Sequence, residues 1–584
     1  MGDKEIVKQL REKPVFYVKA DKGNKVVIMD KEDYDNLIIK KINDGPYRKQ
    51  RADPLPDIIK KVDKTLHECN PNFDINLSSL KVSNPSLSKI KGLPKVHKPG
   101  NEIREIISSV GAPTQKISKW LVKEFQSMPK KFFSKSVPNT QAFVTQLQNS
   151  GESEDDEMMV SFDVTALFPS VPVKDSINLL EDWLLQQNSS SLWKCKVRSY
   201  LTLTRLCMDV NYFKFRGKFY KQLQGAPMGN PLSPFLCVLF MANLEELLNK
   251  QGLLPNRWWR YVDDIFCIIK RNDLSNFLEI INNLHKNIKF TYEEEKDNSL
   301  PFLDILIVRE AKSLTFEIYR KPTNTDRVIP NTSNHPHQHK MAAFHHMIHR
   351  MLSLPLRKDA AIKEKNFIFE IGKFNGYPEH TIQTIFDKKL RLLKKQSLTT
   401  LTLTSGNFKR ISVDFNQNIS HPLKSKLRKF VLDLVFSSMN YQLKTLLGST
   451  KDPTENLKKS GVYKISCPHC DKIYIGQTKR TLDIRFKEHI SEIAKASKEL
   501  EKGLPHHFKS KVAEHAFFED HELTTNDIKI LRQISNPWKL DSAESLEIFK
   551  NNSISFLNRD QGNRSSWLFQ LLPISKIKTN IENT

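Results

Sequence analysis

Trp258-Trp259-Arg260-Tyr261-Val262-Asp263-Asp264-Ile265-Phe266-Cys267-Ile268-Ile269 decides the fold of this chain. Two apolar runs flank a pair of adjacent acids, the pattern of a β-hairpin whose turn carries the carboxylates. The strands anchor the pair while the acids face solvent. Adjacent carboxylates repel, so a site that keeps both ionised usually supplies a divalent cation. An Asp-Asp pair alone is commonly a surface turn. The apolar strands on both sides set this one apart.

Working outward, a further carboxylate is offered by Ser161-Phe162-Asp163-Val164-Thr165-Ala166-Leu167-Phe168, where Asp163 closes a strand pattern that starts at Met158. By itself Asp163 reads equally as a strand-end cap, and Phe168 as a core aromatic. Between these blocks, Gln224-Gly225-Ala226-Pro227-Met228-Gly229-Asn230-Pro231-Leu232-Ser233-Pro234 combines glycines and prolines into a stiff loop. Such a loop lets backbone approach a base or sugar closely. An apolar run from Leu232 to Leu244 follows, of a length suited to a buried helix. Nucleotidyl transfer employs two divalent ions, and Mg2+ takes one or two carboxylates plus phosphate oxygens.

Bulk properties agree with this chemistry. Lys and Arg number 91 against 66 Asp and Glu, a formal charge of +25 over 584 residues. Nucleic acid is the first candidate for an anionic partner, with a merely basic surface as the bland alternative. A hydrophobic content of 39% suits globular domains, and the length suits two to four of them. Seven cysteines, an odd and sparse count, point to a reducing compartment rather than a disulfide framework. The opening residues are polar, and no apolar run reaches the ~20 residues needed to span a bilayer, so no membrane partner is expected.

The three blocks, in this order and separation, resemble motifs A, B and C of reverse transcriptases. Further blocks resemble Penelope-like retroelements: Asp21-Lys22-Gly23, Gly92-Leu93-Pro94-Lys95-Val96-His97-Lys98, Leu300-Pro301-Phe302-Leu303-Asp304 and Tyr319-Arg320-Lys321-Pro322-Thr323-Asn324-Thr325-Asp326. The resemblance spans nearly the whole chain. It implies an α+β, right-hand polymerase with fingers, palm and thumb, followed by a small α/β nuclease domain. Asp163, Asp263 and Asp264 would hold Mg2+, with Asp264 least directly engaged. Phe168 would reject a ribose 2′-OH and so favour dNTPs. Lys95 and Arg104 would contact the triphosphate, and Gln224 and Gly225 would line the nucleotide and template side. Glu105 stands where the family usually has Pro, and an acid there is harmless only if it points away from Arg104.

The C-terminal part carries a second constellation. Gly461-Val462-Tyr463 and Tyr474-Ile475-Gly476 bracket a short segment, followed by Arg480, Arg485 and His489. Together these resemble a GIY-YIG endonuclease. Tyr463 and Tyr474 would face one groove, Arg485 would neutralise charge on the scissile phosphate, and Glu544 would hold Mg2+. Glu547, one helical turn on, is the alternative acid, and Asn558 would steady the site. Cys467-Pro468-His469-Cys470 suggests zinc or redox chemistry. By the resemblance, His515 and His521 would complete a structural Zn2+ site, with His469 and His489 as competitors.

These readings divide the chain into an N-terminal extension (1–80), fingers and palm (81–320), a helical thumb (321–396), a connector (397–455) and the nuclease (456–584). Val26-Val27-Ile28-Met29 is expected to be a buried strand, and 174–207 and 340–395 to be helical. The histidines around His335 to His349 are assigned to the thumb surface. The expected activity is RNA-directed DNA synthesis joined to DNA nicking, with template RNA, target DNA and dNTPs as partners. The expected place is the nucleus after synthesis in the cytoplasm. The competing readings are a decayed or domesticated copy that binds nucleic acid without turnover, an RNA-dependent RNA polymerase and a telomere-end polymerase.

Overall fold

The computed structural model describes residues 3–96, 100, 102–129, 134–152, 154–396, 409–416, 418–428, 432–437, 446–534, 539–551 and 557–558. His97, Lys98, the 397–408 stretch and the Arg559 to Gly562 run lie outside them. The chain divides into two compact units, Met1–Lys81 with Leu87–Lys451, and Val82–Ser86 with Asp452–Thr584.

In the first unit an antiparallel sheet carries the acidic hairpin. Its strand order is Phe290–Glu294, Glu157–Val164, Asp264–Lys270, Trp258–Tyr261. Val160, Phe162, Ile265 and Cys267 bury one face against Phe240 and Leu244 of the Ser233–Lys250 helix. Met159, Phe266 and Ile268 bury the other against Phe143, Leu300 and Phe302. A sheet covered on both faces needs apolar residues at every position, which is why 265–269 shows no alternation. Burying a side chain of this size contributes roughly 1.5–3 kcal/mol, so the hairpin base is held firmly.

A second sheet of five strands runs in the order Tyr47–Gln50, Lys218–Gln222, Tyr212–Phe215, Ser88–Pro94, Ile103–Ser108. Ile90, Ile103 and Phe213 pack it against Ile38 of the Lys31–Asp44 helix. Strands Ser299–Phe302, Ile305–Glu310 and Ser313–Ile318 form a third sheet. Helices His337–Ser353, Lys358–Phe374 and Glu379–Gln396 follow, joined by a core that includes Phe344, Ile348, Ile368 and Ile382.

Two expectations need correction, and a third, the helical 174–207 segment, holds with an interruption. The Val26–Asp30 strand is not buried: Val26 is 56% and Ile28 65% exposed. Among the described residues it pairs only with Val15–Lys19, in a two-stranded ribbon that leaves Val26 and Ile28 exposed. The 174–207 segment is two helices, Val173–Leu185 and Ser191–Asp209, because Asn188-Ser189-Ser190 interrupts it and Ser190 caps the second by accepting from Trp193 N. The stretch expected to be a featureless connector contains parallel strands Lys409–Asp414 and Leu432–Ser437 and the Ser420–Arg428 helix. Phe415, Leu434 and Phe436 give it a small apolar core of its own.

The second unit has a three-stranded antiparallel sheet with Gly461–Ser466 between Ile473–Thr478 and Ile528–Gln533. Tyr463, Ile465, Phe486 and Val512 form its core with helices Leu482–Glu501 and Lys511–Phe518. No described helix is long and apolar enough to cross a membrane.

Candidate active sites

Asp163 and Asp264 are direct cross-strand partners, and Asp264 also pairs with Tyr261 across the two-residue turn Val262-Asp263. Like charges facing each other across strands are destabilising, so this register concentrates anionic charge at one sheet edge. Desolvation raises the Asp264 carboxyl to about 6, with Asp263 and Asp163 adding to it. Desolvation and then Asp263 likewise raise Asp163. Lys22 and Lys321 are the cations that oppose both shifts. A cluster of hard oxygen donors with uncompensated charge fits a divalent cation such as Mg2+.

Backbone strain accompanies the turn. Val262 has φ of 59°, a conformation costly for a β-branched residue. Arg260 holds it. This guanidinium is wholly buried, donates to both oxygens of Glu245 at 2.7 and 3.0 Å, and reaches the Val262 carbonyl at 3.3 Å. Trp258 Nε1 donates to the same Glu245 at 2.9 Å. Glu245 lies on the helix that follows the Gly225 loop, so the loop's helix and the acidic turn share one buried ion pair. Sequence reasoning passed over Arg260 and Glu245. Their signal was a charge inside an apolar strand and another inside an apolar helix.

The Gly225 loop is fitted to the Asp163 turn. Ala226 N donates to Phe168 O at 2.8 Å. Gly225 has φ of 75°, and a Cβ there would lie 2.4 Å from Pro169 O, so no other residue fits without displacing the 166–170 turn. This locks Phe168, which packs against the palm core. Gln224 is exposed beside it. Ile107 N donates to Met228 O at 3.1 Å, and Ser109 Oγ to Gly229 O at 2.7 Å, tying the loop to the strand that carries Arg104.

Lys95 and Arg104 both have carboxylate partners. Lys95 Nζ meets Glu102 at 2.8 Å and Arg104 meets Asp21 at 3.3 Å. Glu105 lies next to Arg104 on a strand, so it points to the opposite face. Its charge acts on Tyr47, whose phenol is raised mainly by burial.

In the second unit Tyr463 is the hub. Arg485 Nε donates to its oxygen at 3.1 Å, and its own O–H is left to donate to His489 Nε2 at 2.9 Å. His489 Nδ1 then donates to Ser510 Oγ at 2.6 Å. Ser510 in turn accepts from Ala513 N at 3.3 Å as the cap of the Lys511–Phe518 helix. Burial pushes the His489 imidazole down to about 3, and Arg485 adds to that. Burial and then Tyr474 push the Tyr463 phenol up, against the pull of Arg485. The Tyr474 ring lies 6.2 Å from that of Tyr463. Such a buried phenol stays neutral.

Glu544 accepts from Gln477 Nε2 at 3.0 Å and acts electrostatically on both tyrosines. Glu547 is instead buried in an ion pair with Arg532. Asn558 clamps Ile475, donating to its carbonyl at 2.6 Å and accepting from its N–H at 3.0 Å. Gln477, Thr478, Arg480, Arg485 and Asp541 line a cavity of about 310 Å3 beside this site.

Cys467, Cys470, His515 and His521 converge, with all four ligand atoms within 4.8 Å of one another. Cys467 Sγ lies 3.3 Å from His521 Nδ1, and Cys470 Sγ 3.4 Å from His515 Nε2. The edge of a tetrahedron around Zn2+ with ordinary bond lengths is about 3.5 Å, so the donor set fits that ion. His469 stacks on His521 at 5.1 Å, and His489 is taken by Tyr463.

Comparison with known proteins bears on the first unit. Residues 96–311 match the family described as reverse transcriptase (RNA-dependent DNA polymerase). The match contains Arg104, Asp163, Phe168, Gln224, Gly225, Asp263 and Asp264. The chain carries a reverse transcriptase domain. Residues 327–387 match the animal helix-turn-helix domain and cover parts of the three helices that follow the palm. The telomerase reverse transcriptase of Euplotes aediculatus is 29% identical over an alignment of 128 residues that covers 19% of this chain and 12% of that protein. Among solved structures, telomerase from Candida albicans with a fragment of telomeric RNA has a TM-score of 0.42 at 12% identity, covering 65% of this chain and 62% of that one. The Sicinivirus RNA-dependent RNA polymerase has 0.36 at 13% identity, covering 57% and 71%.

Proposed function

We propose that this chain is an RNA-directed DNA polymerase joined to a DNA-nicking endonuclease, of the Penelope-like kind. It would mobilise a retroelement by priming reverse transcription at a nick. The carrying observation is that Asp163 faces Asp264 across neighbouring strands, with Asp263 in the strained turn beside Asp264, inside the reverse transcriptase domain. Bound Mg2+ would polarise the triphosphate and activate the primer 3′ oxygen. The chain's own groups do the rest. The three carboxylates hold the metals, Arg260 and Glu245 fix the turn, and Phe168, locked by Gly225, favours dNTPs over rNTPs. Template RNA, target DNA and dNTPs are the partners in this reading, and the nucleus is the place of action.

The nuclease part rests on the Tyr463, Tyr474, Arg485 and Glu544 arrangement, which resembles a GIY-YIG site. Arg485 neutralises phosphate charge, the Tyr463 and Tyr474 pair shapes the groove in which water attacks, and Glu544 would hold Mg2+. Zn2+ on Cys467, Cys470, His515 and His521 has a structural role.

The test is dNTP incorporation on a primed RNA template by wild type and Asp263→Ala. Loss of at least about a thousandfold is expected, because transition-state charge loses its stabilisation. Undiminished synthesis by Asp263→Ala would falsify the palm assignment. Wild-type binding that weakens steeply with salt, without any incorporation, would point to a domesticated binding protein.

A further inference from the structure

The Asp21-Lys22-Gly23 and 319–326 blocks supply the cations that act on Asp163 and Asp264, and both lie outside the residues matched to the reverse transcriptase family. They meet each other. Asp21 N donates to Pro94 O at 2.9 Å, and its carboxylate, with only 3% of the side chain exposed, faces Arg104 at 3.3 Å. Ala20 N donates to Lys25 O at 2.9 Å and closes the turn. Gly23 has φ of 80°, and a Cβ on it would lie 2.6 Å from Thr323 O. Glycine is therefore what lets the turn seat on the second block.

That second block is itself rigid. Asn324 N donates to Lys321 O at 2.8 Å, a β-turn with Pro322 at its second position, where a fixed φ is favourable. On one side Arg320 binds Glu364 at 2.6 and 2.5 Å and lies 4.1 Å from the Phe367 ring. On the other, Asn375 Nδ2 donates to Asp326 O at 3.0 Å. Its anchors are all spoken for, whereas Lys321 makes no ion pair among the described residues, nor do Lys22 and Arg327. Lys22 and Lys321 lie within electrostatic reach of Asp163 and Asp264. Beside them a cavity of about 380 Å3 is lined by Gly23, Asn24, Lys321, Thr323, Arg327 and His346.

We propose that the two blocks form a phosphate clamp, in which Lys22 and Lys321 grip the phosphodiester backbone of the strand whose 3′ end the palm extends. The inference rests on the polymerase reading for the identity of that strand. Phosphate is the chemistry that rigidly presented, unpaired lysines next to a carboxylate cluster would take. A strand is favoured over a triphosphate because the cavity continues from Lys321 toward Arg327 and His346. Of the residues assigned to the triphosphate, Arg104 stands on the five-stranded sheet and Lys95 just past its Ser88–Pro94 strand, and neither lines this cavity.

The test uses the full chain and a labelled DNA primer annealed to an RNA template, with binding read by fluorescence anisotropy across a salt series. Lys22→Met and Lys321→Met should each weaken binding several-fold at low salt and flatten the log–log salt slope by about 0.9. Lys→Arg at either position should restore most of it, and Gly23→Ala should behave like the Met variants. Lys25→Met, on the same turn, is the control and should lose less than either. Equal loss with Lys25→Met, or unchanged affinity in both Met variants, overturns the clamp. Unchanged primer–template binding with weakened dNTP binding in a parallel titration overturns the strand in favour of the nucleotide. Binding is read without turnover, so a chain that fails to polymerise would sink the polymerase reading and leave this result legible.

Discussion

His489 shows how one side chain couples chemistry to stability. In the folded chain it is neutral, accepting from Tyr463 and donating to Ser510. Unfolded, it would titrate near 6.5. Because burial depresses the folded value to about 3, the unfolded state binds the extra proton. Its contribution is fully present above pH 6.5 and is lost as pH falls from there toward 3. Between pH 7.5 and 5 the second unit should lose about 2 kcal/mol from this group. Urea unfolding of wild type and His489→Gln at the two pH values checks it: the variant should show a smaller pH difference. Arg260 and Glu245 invite a different measurement. Glu245→Ala leaves a buried guanidinium unpaired, so about 3–5 kcal/mol of destabilisation is expected. Glu245→Gln, which keeps one acceptor, should cost less, and equal midpoints for both variants would count against the buried pair.

At the scale of elements, the apolar core joins the Gly461–Ser466 strand to the Lys511–Phe518 helix through Ile465, Val512 and Ala516, and the four polar donors add a second tie at the Cys467–Cys470 turn. The four donors lie within 4.8 Å, and bringing two thiols and two imidazoles together without a cation has no evident return. Chelation, or Cys470→Ser, should therefore destabilise the second unit by several kcal/mol, as for structural zinc elsewhere. Metal analysis of the purified chain should find one Zn2+ per molecule, lost in the variant. The same pair of cysteines shows what was legible beforehand. Cys-x-x-Cys, Tyr-Val-Asp-Asp and the Gly-Pro loop are local patterns, and local patterns survive in sequence. Arg260 with Glu245, and Gly23 with Thr323, are contacts between distant segments, so nothing in either neighbourhood announced the other. The exposed Val26–Asp30 strand failed for a related reason. Its apolar run fits a covered sheet, but a two-stranded ribbon covers only one of its faces.

At the scale of the whole molecule, two compact units each carry one constellation of charged groups. In the proposed function, the units divide one reaction sequence between them. Arg485→Ala should stop nicking of intact duplex yet extend a duplex supplied with a nick. Asp263→Ala should nick and then stall at the 3′-OH. Mixing the two variants should restore nicked and extended product only if the freed end can pass from one molecule to another. Failure of the mixture, with both single steps intact, would mean that the nick is handed over within one chain. The formal charge of +25 adds a condition to all three reactions. Counterion release makes every nucleic-acid step salt-dependent, so the variants must be compared at one ionic strength. Extension from a supplied nick should fall with salt in parallel with duplex binding. If incorporation per bound duplex changes with salt instead, charge acts on catalysis at the palm carboxylates and not only on capture.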